Sequence, residues 1–408
     1  MASGQPEADR RVVVTGMGPV SSIGIGLADF ADSLRAGRSG ISPIRSFDTT
    51  GFPYVCAGEV PDFRPAKFLR RLDGDWGRSS LFAAAAARLA VEDAKLDLDR
   101  TAEGRAGAVI GTTSGESRVV EELAAQLVAG GYPGLRPGPI RRMPANRLSS
   151  AVNMELGLHG ESITIATACS ASNYAIGYAF DCVATGEADV MIAGGADSVC
   201  RWAHAGFYRL GALTESVCRP FDQGRAGILT AEGGVALVLE ALEHAEARGA
   251  AIHAEVLGYG VNCDAKHPVA PDSASIAECM RIAHRNAGVA AADIDYICAH
   301  GTGTPSNDLA EARAVREVFG EQSPPISSVK SMLGHTMGAA SGFGAVASVL
   351  AISRDFLPPT INFANADPEL PGLDVVPNAA REAVVRTAQN NGYAFGGNNA
   401  ITIFGAMS

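Results

Sequence analysis

The chain has 408 residues, more than one simple core accommodates, so two domains or a fused duplication is the expectation. A formal net charge of −11 argues against non-specific nucleic-acid binding, and 47% hydrophobic with 6% aromatic residues fits an Ala/Gly-rich globular enzyme with closely packed elements. Eight scattered cysteines without a C-x-x-C pair argue against a zinc site or a disulfide framework and favour a reducing cytoplasm. The polar opening, residues 1–9, is unlike a signal peptide, and no apolar run approaches the ~20 residues of a membrane span.

In chain order, short buried-strand runs alternate with helical patterns. The first set is 11–15, 106–110, 163–166, 189–193 and 236–239; the second is 252–257, 294–299, 326–329, 375–376 and 400–404. This alternation predicts an α/β layered fold. Each set opens with a strand running into a glycine-containing loop, Thr15-Gly16-Met17-Gly18 and then Leu257-Gly258-Tyr259-Gly260. Each also has a later strand that delivers a reactive residue, Cys169 in the first and His300 in the second. We read an internal duplication with its seam near 245–255 and no low-complexity linker. The first loop lacks the third glycine of G-x-G-x-x-G, with Ser21 in its place, and no Walker motif exists. ATP and NAD are therefore not the expected ligands.

Three segments carry chemistry. The run Ile163-Thr164-Ile165 leads through Ala166-Thr167-Ala168 to Cys169 and a helical pattern, placing Cys169 at a bend beside a helix N-terminus. Unpaired N–H groups and the dipole there favour thiolate, and a thiolate beside backbone N–H groups suits acyl transfer. A single cysteine is more often an inert core residue, but two distinctive histidines change that balance. The strand 294–299 ends at His300-Gly301-Thr302-Gly303-Thr304-Pro305, followed by a helix with Asp308 and Glu311. The glycines let a substrate chain approach the backbone, and the threonines offer hydroxyls. Lys330 precedes His335 by five residues, and His335 opens a Gly/Ala-rich helix, where it is expected to be a neutral donor. The glycine-rich stretch 390–399 reads, taken alone, as a tight turn whose N–H groups could help form an oxyanion hole.

The motifs T-A-C-S, H-G-T-G-T-P, S-V-K-S-x-x-G-H and F-G-G-x-N, with Arg219-Pro220-Phe221-Asp222 and Glu232-Gly233, stand in one order from Val12 to Phe404. In these the chain resembles the elongating β-ketoacyl-acyl-carrier-protein synthases, the thiolase-superfamily condensing enzymes of fatty-acid and type II polyketide synthesis. The resemblance implies a thiolase-like α/β fold: duplicated βαβαβαβ halves in five αβαβα layers, the halves spanning 1–250 (nucleophile and dimer interface) and 251–408. It implies a Cys169, His300, His335 site supported electrostatically by Lys330, with Asp308 or Glu311 as nearby polar partners in structural support. Cys169 would carry the acyl chain, its oxyanion held by the N–H groups of Cys169 and Phe395. The histidines would stabilise the enolate formed as malonyl-acyl-carrier protein (malonyl-ACP) loses carbon dioxide, and Thr302 and Thr304 would contact phosphopantetheine. No metal or bound cofactor is implied; the phosphopantetheine arrives on the carrier protein.

The same resemblance implies docking of acidic acyl-carrier protein on a basic patch of Lys67, Arg70, Arg71, Arg141, Arg142 and Arg209. It also implies dimerisation through an edge strand around 163–167, with a second copy or with a chain-length-factor-like subunit, in the cytoplasm and without membrane or nucleic acid. Four departures bear on substrate. Ile228 replaces a gating phenylalanine, Ala394 stands where the gate usually has glycine, Gly344 replaces an acid, and Ser114 replaces a bulky floor of the acyl pocket. A small residue at 114 implies a deeper pocket for longer or unsaturated chains, as in polyketide or polyene synthesis. Loss of the phenylalanine and the acid leaves open an acyltransferase or cyclase without efficient decarboxylation.

Overall fold

Apolar runs rich in Val, Ile and Ala become the strands of one mixed sheet, seen in a computed structural model that describes residues 10–72, 75–100, 105–370 and 372–407. The polar opening, 1–9, lies outside the described residues. The first half contributes β1 (Val12–Ser21), β2 (Ala106–Gly111), β3 (Ser162–Ile165), β4 (Val190–Asp197) and β5 (Gly233–Ala241). The second contributes β6 (Ala254–Cys263), β7 (Tyr296–Cys298), β8 (Pro325–Ser327), β9 (Asp374–Val375), β10 (Thr387–Gly392) and β11 (Asn398–Gly405). The helices that matter are α1 (Arg78–Asp93), α2 (Ser117–Gly130), α3 (Arg147–Leu156), α4 (Ala171–Ala184), α5 (Arg201–Arg209), α6 (Ser273–Ala287), α7 (Pro305–Phe319) and α8 (Ala340–Arg354).

The duplication is explicit in the strand order. Outward from the middle, the first half runs β1-β5-β4-β2-β3 and the second β6-β11-β10-β7-β8, with β9 added at the end. In both halves the first two pairings are antiparallel and the next two parallel. The two sheets join where Val12–Val14 of β1 pair with Ala254–Val256 of β6. α1 and α3 cover the outer face of the first sheet, α6 and α7 that of the second, and α4 and α8 fill the space between. These are the five layers αβαβα.

Two expectations from the sequence change here. Both glycine pairs, taken as loops, lie inside β1 and β6. A Cβ on Gly16 or Gly18 would sit 2.2 and 2.0 Å from carbonyl oxygens of α1, and one on Gly258 or Gly260 would sit 2.9 and 2.5 Å from the α6 backbone. Glycine therefore lets one helix press on each inner strand, the same device twice. The stretch from Asn390 also begins as strand: β10 runs through Gly392, and the turn is confined to 393–397.

Both central helices are entered by the same strained turn. Ala168 (φ 50°) opens the 3-10 turn Ala168–Ser170 before α4, and Met337 (φ 55°) opens Met337–Ala339 before α8. A left-handed non-glycine residue costs about 1–3 kcal/mol and persists only where the surroundings enforce it. The first turn carries Cys169. The second carries Gly338 at the equivalent place, where a Cβ would lie 2.4 Å from the Thr112 backbone. One copy of the turn holds Cys169, and the other packs its glycine against the Thr112 backbone.

Candidate active site

Cys169 follows β3, His300 follows β7, and Lys330 with His335 follows β8, so the repeat brings equivalent strand ends of both halves to one place. Cys169, His300 and His335 line a single cavity of about 200 Å³ and are each at least 95% buried. The two imidazole centroids are 5.8 Å apart at 81°. Thr302, Thr304, Ile228, Ala394 and Phe395 share the lining, and partly exposed Phe395 and Leu210 mark its mouth.

The thiolate expected at Cys169 is corrected by burial. Desolvation pushes the thiol up to about 12; the Lys330 charge and the N–H groups of Cys169 and Phe395 pull it down without prevailing, and Asp197 adds to the rise. The resting nucleophile is a thiol. Its alkylation by iodoacetamide should therefore be slow at pH 7 and climb roughly tenfold per pH unit, still without a plateau at pH 10. A plateau below pH 8 in the rate of Cys169 modification, followed by peptide mass, would contradict this.

His335 accepts the Met337 N–H at Nδ1 (3.0 Å), which leaves its proton on Nε2. Burial, aided by Lys330, holds its pKa down to about 3, so it is a neutral donor across the physiological range. His300 is likewise held well below its ordinary value, by burial first and by Lys330 second. Lys330 donates its ammonium to the His300 carbonyl at 2.5 Å and is itself lowered by burial, against the pull of Cys298 and Glu311.

Glu311 and Asp308, expected as nearby structural support, act on the backbone around His300. Glu311 accepts the N–H groups of His300 (2.9 Å) and Gly301 (2.7 Å) together with the Asn391 amide. Asp308 accepts the N–H groups of Phe221 (2.8 Å) and Gly303 (3.2 Å). Both carboxylates clamp the His300–Thr304 loop, because its buried N–H groups need acceptors. Glu311 still acts on Lys330 through space. Thr302 and Thr304 hydroxyls lie 2.8 Å apart, and Thr304 caps α7 by accepting the Asn307 N–H.

Other expected residues fall elsewhere. Ser114 does not line the cavity; its loop is tied to Asp197, which accepts the Thr113 and Ser114 N–H groups and the Thr112 hydroxyl. Gly344 is also absent from the lining; a Cβ there would meet the Asn390 side chain at 2.3 Å. Three of the six side chains of the basic patch are ion-paired. Arg70 pairs with Glu92, Arg141 with Asp75, and Arg142 with Asp75 and Glu122, while the Arg71 backbone N–H is bound by Glu155. Lys67 is exposed, and exposed Arg209 precedes Leu210 at the mouth.

The sequence reading missed Phe207 and Tyr393. Phe207 on α5 lies 6.4 Å from the His335 ring and 6.0 Å from that of Phe395. Tyr393 stands 5.4 Å from the His300 ring. Only the adjoining F-G-G motif could have drawn attention to Tyr393. Asp197, buried and raised to about 6 by desolvation, was missed as well; it also accepts the Gly338 N–H (2.7 Å). Among the described residues no group of three His, Cys, Asp or Glu side chains forms a metal site. The one helical stretch among them long and apolar enough to cross a membrane, Met337–Arg354, is 89% buried inside the protein.

Comparison with known proteins adds independent findings. Residues 9–245 match the family description "Beta-ketoacyl synthase, N-terminal domain" and residues 253–364 "Beta-ketoacyl synthase, C-terminal domain". The 3-oxoacyl-[acyl-carrier-protein] synthase 2 of Coxiella burnetii is 40% identical, covering 96% of this chain and 97% of its own length. Its counterpart from Staphylococcus aureus strain COL is 38% identical over 97% and 98%. A solved chain of the ishigamide ketosynthase/chain length factor superposes with a TM-score of 0.96 at 52% identity, covering 98% of this chain and 100% of that one. A chain from a type II PKS acyl-carrier protein in complex with its ketosynthase bound to the hexaketide gives 0.91 at 30%, with the same coverage.

Proposed function

We infer the reaction from a plain premise: this chain belongs to the β-ketoacyl synthase family. It is a condensing acyltransferase that performs a decarboxylative Claisen condensation of a Cys-bound acyl chain with malonyl-ACP, giving β-ketoacyl-ACP. The observation that carries the reading is the single cavity lined by one sulfur and two neutral imidazoles.

Acyl transfer joins the Cys169 sulfur to the acyl carbon and releases the carrier's pantetheine thiol, which takes up the proton. The N–H groups of Cys169 and Phe395, both directed at that sulfur, are placed to hold the oxyanion. His335, through Nε2–H, and His300 then bind the thioester oxygen of malonyl-ACP. Carbon dioxide leaves, the enolate carbon attacks the acyl thioester, and the Cys169 thiolate departs beside Lys330. Thr302 and Thr304 border the approach as pantetheine contacts. No resident metal or cofactor is needed.

Acyl-carrier protein is the partner that supplies both substrates, with exposed Arg209, next to Leu210 at the mouth, and exposed Lys67 and Arg71 as its contacts. A partner subunit, a second copy or a chain-length-factor-like chain, fits the free edge of β3. Exposed apolar Val120, Val128, Tyr132 and Ile140 give it a surface to cover. We place the protein in the cytoplasm and the seam between its halves at 250/251. Polyketide or polyene synthesis rather than housekeeping fatty-acid synthesis is the pathway we favour.

The test supplies acyl-ACP and isotopically labelled malonyl-ACP and follows carbon dioxide and product mass. Labelled carbon dioxide in step with a β-ketoacyl-ACP two carbons longer is the expected result. Acylated enzyme without carbon dioxide release would favour the acyltransferase or cyclase alternative, which Ile228 in the cavity wall motivates.

A further inference from the structure

Two polar atoms in the candidate site have no hydrogen-bond partner although both are buried: Nδ1 of His300 and the hydroxyl of Tyr393. They belong to neighbouring rings, 5.4 Å apart and tilted by 58°, and both side chains line the cavity. Tyr393 is 2% exposed and His300 4%. A buried polar group without a hydrogen bond is costly, so two of them on neighbouring rings, one able to donate and one to accept, call for an explanation.

The contrast with His335 supplies one. Its Nδ1 accepts the Met337 N–H, which fixes the proton on Nε2, where it serves as a donor. His300 has no such backbone donor. The N–H groups of residues 300 and 301 go to Glu311, and Lys330 reaches the His300 carbonyl rather than its ring. Without a partner at Nδ1, a neutral imidazole divides its proton between both nitrogens, and only one tautomer matches His335.

We propose that Tyr393 is a positioning residue: in the loaded site its hydroxyl donates to Nδ1 of His300 and holds His300 as the Nε2–H tautomer. Catalytic hydrogen bonds of this kind tighten when substrate is bound. No proton is transferred; the hydroxyl keeps its hydrogen throughout. Burial, with the charge of Glu311, keeps the phenol protonated far above neutral pH. The inference rests on the condensing-enzyme reading for its kinetic consequence, but not for its spectroscopic one.

The experiment uses the full chain, wild type and Tyr393→Phe, which removes one atom and keeps the ring. The side-chain nitrogens of ¹⁵N-histidine-labelled enzyme are recorded with Cys169 acylated, and His300→Asn identifies the His300 signals. Wild type should show His300 as pure Nε2–H, and Tyr393→Phe a mixture of tautomers. Condensation kcat should fall about tenfold in that variant, with KM for malonyl-ACP and the rate of Cys169 acylation within twofold. Unchanged His300 signals, or a raised KM at constant kcat, overturn the proposal; the latter would put the hydroxyl on substrate instead. If wild type releases no carbon dioxide from malonyl-ACP, the condensing-enzyme reading fails while the tautomer measurement still decides the role of Tyr393.

Discussion

Cys169→Ala is expected to abolish acylation by acyl-ACP and to lower condensation by on the order of 10⁴-fold, the scale seen when a covalent nucleophile is removed from a machinery that acts as a unit. The sulfur lines the cavity and is met by two backbone N–H groups, those of Cys169 and Phe395. The other buried thiols lack this setting. Cys218 is spent on the Thr302 carbonyl and Cys298 sits at the end of β7, neither lining the cavity. Alanine retains the Cβ at a position whose turn is set by Ala168 and by packing, so the fold should survive. Intact-mass measurement after incubation with acyl-ACP should show one acyl group on wild type and none on the variant. Equal labelling of both would refute the nucleophile assignment.

His335→Ala and His300→Ala should each slow carbon dioxide release from malonyl-ACP about 10²–10³-fold, while acylation of Cys169 changes by only a few-fold. That is the usual effect of removing one donor from a preorganised oxyanion site. The split between half-reactions follows from the proposed roles, in which the N–H groups of Cys169 and Phe395, which act on the sulfur, serve the acyl oxyanion and the imidazoles the malonyl thioester. Since the rings act on one oxygen, the double variant should lose much less than the product of the two single losses. His335 is neutral down to about pH 3, so carbon dioxide release should show no imidazolium titration between pH 5 and 8. Stopped-flow acylation beside steady-state carbon dioxide release reads both steps. A histidine variant that loses acylation and decarboxylation alike would contradict this division of labour.

Legibility along the chain follows physical lines. The first-half strands stand out as β-branched and Ala runs because their side chains sit against helices on both faces. β10 was illegible: Gln389, Asn390 and Asn391 give it no apolar signal. Those residues are nonetheless fully buried, and their polarity is answered by partners from distant elements: Gln389 by His284, Asn390 by Asn173, Asn391 by Glu311. The same cause explains Gly16 and Gly258, which looked like loop glycines because the helices pressing on them are tens of residues away. Ser114, whose small side chain suggested a pocket floor, is not among the residues lining the cavity; Asp197 binds its N–H and that of Thr113.

Local order alone determined the layered architecture, its doubling, and the three reactive side chains, since strand-forming runs, bends and reactive groups are properties of neighbouring residues. The protonation states and partnerships were settled only by the fold. Burial turned the anticipated thiolate into a thiol, gave the two carboxylates to backbone N–H groups, and set the Tyr393 ring against a His300 ring whose Nδ1 has no partner. Desolvation and hydrogen-bond competition depend on what surrounds an atom in space, and that is known only once both halves have closed around the site.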